Sequence, residues 1–159
     1  MTNLRPPNMR RTRWTELVVI CVVIGAVTYV LARVGYNSLP PLSYGVPVPI
    51  AALAVIEFAA ARRVRAAVRH DPRARPLQAI VVARLVALGK ASSLVGAGVV
   101  GAALGLLGEL LHFAGVPRTV GHDLQVTVLV LAAALLLIAA GLWLERAGVD
   151  PNSGRRREE

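Results

Sequence analysis

Residues 123–144 read DLQVTVLVLAAALLLIAAGLWL, and after Asp123 they contain no charged side chain. As an α-helix this stretch is roughly 33 Å long, enough to cross the ~30 Å hydrocarbon layer of a bilayer. Lipid offers no hydrogen bonds to a backbone, so a segment inside it must be a helix or part of a closed barrel. The apolar residues run on without alternation, which excludes the barrel pattern. Residues 15–34, TELVVICVVIGAVTYVLARV, form a second such run with Glu16 and Arg33 at its borders. Two further apolar stretches lie between these, one short at 48–61 and one long, ending near residue 113.

The whole chain has 159 residues, of which 55% are hydrophobic, and its mean hydropathy is +0.59. These runs predict an all-α integral membrane protein: four transmembrane helices, packed as an antiparallel bundle, with both termini inside. The transmembrane domain is expected over 14–146, with spans at about 14–36, 47–62, 83–113 and 123–146. A basic cytoplasmic tail, 1–13, and a polar cytoplasmic tail, 147–159, flank it. The connection NSLPPLSYGVPVP is uncharged and rich in Pro and Gly, which makes it a stiff loop. The second span is short for a full crossing and either thins the bilayer or continues as a basic helix toward Arg69. The third exceeds one crossing and projects into water at its start. Asp123 stands where the N-cap of the fourth helix is expected.

The net charge of +9 resembles a nucleic-acid footprint. Its distribution argues otherwise. Arginines cluster at 5–13, at Arg62, Arg63, Arg65, Arg69, Arg73, Arg75 and Arg84, and at 146–157, and they nearly vanish from the two connections between. Short loops on the cytoplasmic side carry such an excess. Both termini and the loop from Arg62 to Arg75 are therefore assigned to the cytoplasm of a plasma-membrane protein. These seven arginines form a basic surface for anionic lipid head groups. Nucleic acid is excluded as a partner, because aromatic residues are only 4%. Cys21 is the lone cysteine and forms no internal disulfide. No small-residue cleavage pattern follows the first run, which reads as an uncleaved helix.

Two patterns stand out in the third helix. Gly89, Ser93, Ala97, Gly101 and Gly105 recur every fourth residue, a spacing that lets another helix approach closely. The partner is left open: the first helix, the fourth, or a second copy. Lys90 is the only lysine, and Glu57 is expected at a similar depth in the second helix. Glu57 and Lys90 are a candidate intramembrane polar pair, against the simpler reading in which Lys90 snorkels to the interface. At the opposite face Glu109, His112, His122 and Asp123 match no compact zinc spacing, and interfacial capping explains them better. No catalytic residue, cofactor or metal is assigned.

The segment RPLQAIVVARLVALGKASSLVGAGVVGAALGLL, with GLWLERAGVDP downstream, resembles a family of small four-helix actinobacterial membrane proteins, domain-of-unknown-function family 3180. Arg84, Leu88, Lys90, Ala91, Ser92 and Gly96 carry the resemblance, with Trp143, Glu145 and Arg146 as a second anchor. The likeness spans roughly 13–151 and implies a plasma-membrane protein with no assigned activity. The sequence thus points to a non-enzymatic accessory or scaffold subunit. It is expected to pack through the small-residue face of the third helix, in a homo-oligomer or against a larger membrane protein. The alternative is a small transporter or channel subunit using Glu57 and Lys90, and behind it a lipid-modifying enzyme.

Orientation is directly testable. A fluorescent protein that matures only in the cytoplasm should be bright at the carboxyl terminus and dark when inserted at 37–41. The reverse pattern would overturn the arginine argument.

Overall fold

A computed structural model describes residues 14–35, 42–68, 78–112 and 119–148. It contains four helices: α1 (Trp14–Gly35), α2 (Pro47–Val68), α3 (Ala79–His112) and α4 (Thr119–Ala147). No strand occurs among the described residues. By length and composition, three helices can cross a membrane: Trp14–Gly35, Ile80–Leu111 and Gly121–Ala147. α2 is less apolar than these, because Arg62, Arg63 and Arg65 occupy its second half. The tails at 1–13 and 149–159 lie outside the described residues, as do Arg69, Arg73 and Arg75.

The helix ends follow from local chemistry. Glu16 sits in the first turn of α1 and Arg33 in its last, each where the helix dipole favours it. Pro47 and Pro49 lie in the first turn of α2, where a missing N–H costs nothing. The Ser43 carbonyl accepts from the Val46 N–H at 3.1 Å, and its hydroxyl from the Gly45 N–H at 3.2 Å. That turn aims the chain into α2. Gln78 opens α3, its carbonyl accepting from the N–H groups of Val81 at 2.9 Å and Val82 at 3.3 Å.

Four boundaries differ from the spans read from the sequence. α2 continues past residue 62 to Val68 as a basic helix, the second of the two courses expected for it, because Ala61 and Val64 find an apolar seat against Leu144 and Ala147. α3 begins at Ala79, ahead of the span expected from 83 and in keeping with a start that projects beyond it, with Val82 and Leu85 packed on the same cluster. α4 begins at Thr119, so Asp123 is not its N-cap but lies one turn inside it. It also ends at Ala147, inside the expected tail.

Direction alternates along the chain, but spatial neighbours are not sequence neighbours. α3 is central: one side packs on α1 and another on α4, while α2 packs on α4 and only brushes α3. Among the described residues α1 touches neither α2 nor α4. Cys21, Gly25 and Tyr29 meet Gly101, Gly105 and Gly108 in ascending order, so α1 and α3 run parallel. Gly89 meets Gly141 and Gly96 meets Ala134, so α3 and α4 are antiparallel. Ala54 clusters with Leu137 and Ala140, and Val64 with Leu144 and Ala147, so α2 and α4 are parallel. Where a simple antiparallel bundle was expected, only one of the three main contacts is antiparallel.

Glycine sets the closeness of two of these contacts. A Cβ at Gly101 would overlap the Cys21 carbonyl oxygen, and one at Gly105 would overlap that of Gly25. A Cβ at Gly89 would stand 2.7 Å from the Gly141 oxygen, and one at Gly141 2.5 Å from the Gly89 oxygen. Backbones meet directly at both places. Gly105→Leu should therefore push α1 off α3 and destabilise the detergent-solubilised chain by about 1–3 kcal/mol, the usual cost of overpacking. Gly121 has open space around it, so Gly121→Ala is the control. Equal melting temperatures for the two variants would contradict the assigned contact.

Candidate functional site

Glu57 is the most unusual side chain in the molecule. It is fully buried at 0% exposure, and neither carboxylate oxygen has a hydrogen-bond partner. α2 carries it into a seat made largely of apolar residues, with Ala54, Leu137 and Ala140 on one side and Ala61 and Leu144 on the other. The Ser92 hydroxyl of α3 approaches the carboxylate without completing a hydrogen bond. An ionised side chain within a span costs roughly 2.5–3.5 kcal/mol on insertion scales. Burial without a partner adds to that cost.

Lys90 does not hydrogen-bond to Glu57, since neither Glu57 oxygen has any partner. Lys90 is half-buried and engaged in an interaction, as is the nearly buried Glu145 at the same end of α4. Beside them the Ser93 hydroxyl donates to the Lys90 carbonyl at 2.8 Å. Back-bonding of this kind satisfies a buried hydroxyl inside its own helix.

The opposite end of the molecule holds a polar clasp that sequence reasoning saw only in part. The Leu42 N–H donates to Asp123 Oδ1 at 3.0 Å, and the Leu42 carbonyl lies 2.8 Å from His122 Nε2. Tyr44 donates its hydroxyl to Gln125 Oε1 at 3.0 Å and stands edge-on to the His122 ring at 4.6 Å between centroids. Both backbone groups of Leu42 are thereby satisfied by α4 side chains. The Thr127 hydroxyl donates to the Asp123 carbonyl at 2.7 Å. Tyr44 and Gln125 were the missed members. A tyrosine in an uncharged loop and a lone amide in an apolar run each need a partner, and that was the available signal. Glu109 is buried at 2% exposure with Oε2 unpartnered. The His112 side chain lies outside the described residues. Among the described residues no three His, Cys, Asp or Glu side chains gather as a metal would require.

At the other end Arg62, Arg63, Arg65 and Arg84 are all exposed. Arg62 stacks over the Phe58 ring at 4.6 Å, and Phe58 meets Trp143 edge-on at 4.6 Å. This aromatic pair holds a guanidinium at the border between the apolar seat and the basic surface.

The small-residue row does not form one face. Successive positions four apart drift about 40° around a helix, since each residue turns about 100°. Gly89 and Ser93 therefore face α4, while Gly101 and Gly105 face α1. Ala97, between them, is buried at 1% exposure. Both partners belong to the same chain. Gly25 and Gly141, each interrupting an apolar run, are the reciprocal positions that sequence reasoning passed over.

The family model described as "Protein of unknown function (DUF3180)" matches residues 17–151, and the chain belongs to that family. No curated protein and no solved structure matches it.

The clasp generates a measurable expectation. Asp123→Ala should remove the acceptor for the Leu42 N–H and cost about 1–2 kcal/mol. Amide exchange at residues 42–46 should accelerate, while Asp123→Asn, which keeps the oxygen, should stay near wild type. Unchanged exchange in the alanine variant would mean the clasp does not hold the connection.

Proposed function

We propose that this chain is a multi-pass plasma-membrane protein with both termini on the basic side, acting as a non-enzymatic accessory or interaction subunit. One observation carries the reading. The His122 and Asp123 side chains, the best candidates for chemistry at the outer face, are occupied in holding the Leu42 backbone. Their roles there are structural, which weighs against a lipid-modifying enzyme.

Assembly through the small-residue face of α3 needs revision, because α1 and α4 already cover it. The surface left for a second copy or a larger membrane protein is the outward face of α1. Only Leu17 and Ala32 of that helix are buried, while Val18, Val22, Val30 and Leu31 are each more than half exposed. Anionic head groups are the partners proposed for Arg62, Arg63, Arg65 and Arg84. Arg69, Arg73 and Arg75 are included on sequence grounds.

A second reading, a small transporter or channel subunit, is favoured by the unpartnered Glu57 carboxylate, with Lys90 in the same region.

Purification from native membranes in mild detergent, followed by sizing and mass spectrometry, separates the two. The accessory reading expects a stoichiometric membrane-protein partner or a homo-oligomer. A lone chain that conducts or carries an ion when reconstituted would replace it with the second reading. Replacing Arg62, Arg63 and Arg65 together by Gln should reduce co-purifying anionic lipid several-fold, with neutral lipid unchanged. Equal retention of both lipid classes would remove the head-group proposal.

A further inference from the structure

We infer that Glu57 is a proton-binding site inside the protein, enclosed by α2, α4 and the adjoining edge of α3. The inference deepens the second reading above by naming the ligand, but it does not require that anything be transported.

The geometry narrows the ligand by exclusion. Both oxygens of a fully buried carboxyl lack a hydrogen-bond partner. An anion there would have only the Ser92 hydroxyl, which completes no hydrogen bond to it, to set against the cost of burial. A hard metal cation asks for about six oxygen ligands. The alanine and leucine side chains that seat α2 against α4 offer none. A proton asks for one oxygen only, and the neutral acid's O–H lies beside the Ser92 hydroxyl.

The charged groups on the packed elements are Arg84, Lys90 and Glu109 on α3 and Asp123, Glu145 and Arg146 on α4. Arg84 and Arg146 are exposed, and Glu109 and Asp123 lie toward the far end. The two at the near end, Lys90 and Glu145, are engaged in interactions. Neither hydrogen-bonds to Glu57. On α2 itself Arg62, Arg63 and Arg65 are exposed. Arg62 lies little more than one helical turn beyond Glu57, roughly 7–8 Å along the axis. Glu57 therefore lies only a short distance in depth from the basic surface.

The full-length chain in lipid nanodiscs provides the test. Infrared spectra with isotope-labelled glutamate should contain the carbonyl stretch of a neutral, non-hydrated carboxyl at neutral pH, and Glu57→Gln should lack it. A hydrophobic carbodiimide should also modify Glu57, identified by peptide mass mapping. The carboxyl proton passes to a carbodiimide nitrogen, the oxygen bonds to the central carbon, and rearrangement leaves an N-acylurea that retains the whole reagent. Modification should slow several-fold as the pH is raised.

Should Glu57→Gln fail to fold, wild-type protein still decides the matter. Only carboxylate bands at neutral pH, or an adduct at Glu109 and none at Glu57, would overturn the site. An adduct at Glu57 without ion flux keeps the site and removes transport. Ion flux with Glu57 fully ionised keeps transport and removes the site.

Discussion

The contact of backbone on backbone at α3 is the constraint from which the rest of the arrangement follows. Two helices approach this closely only where at least one of them presents no Cβ at the point of contact. α3 meets that condition twice, with Gly101 and Gly105 against α1 and with Gly89 against Gly141 of α4. Apolar side chains gain little by leaving lipid for protein, so close van der Waals packing must supply the cohesion. α3 is thereby the axis, and α1 and α4 attach to different sides of it.

That central position sets the other arrangements. With α1 and α4 on α3, α2 must seat on the outer side of α4. The ends of α1 and α2, consecutive in sequence, then lie on opposite sides of the assembly. The chain between them runs through 36–46. Its described part, Leu42–Val46, lies at the start of α4, where His122 and Asp123 satisfy the Leu42 backbone and Gln125 the Tyr44 hydroxyl. A polar clasp at this point replaces the water that would otherwise solvate the loop.

Much of the architecture was legible because the bilayer imposes a length rule that sequence displays openly. The apolar runs located all four helices, and arginine spacing supplied the expectation for orientation. What was not legible is equally physical. Hydropathy does not distinguish a helix facing lipid from one facing another helix, so the order α1–α3–α4–α2 had no signature. The row Gly89–Gly105 read as one face because its spacing was constant. Its rotation around the axis divides it between two partners. Asp123 read as a cap because it borders the apolar run, whereas α4 extends one turn further to place its carboxylate on Leu42. The burial of Glu57 could not be read either, since depth along a helix says nothing of the direction a side chain takes.

The isolation of Glu57 from water is a property of how α2 is seated, not of Glu57 alone. α2 lacks the interlocking glycines that fix α1 and α4 to α3. Small side chains, Ala54 and Ala61 against Ala140 and Leu144, let it lie close to α4 without backbone contact. Its two ends are held by different forces. The Pro47 end is tied through the clasp, whose hydrogen bonds exchange against water and so contribute modestly. The other end rests on the Val64–Leu144–Ala147 cluster and on the Phe58–Trp143 pair beneath Arg62. Of the four helices, α2 is thus the one whose attachment has most in common with a water-soluble protein. It is also the one that carries the buried carboxyl. Anything that shifts the end bearing Arg62, Arg63 and Arg65 acts on the same contacts that keep Glu57 from water.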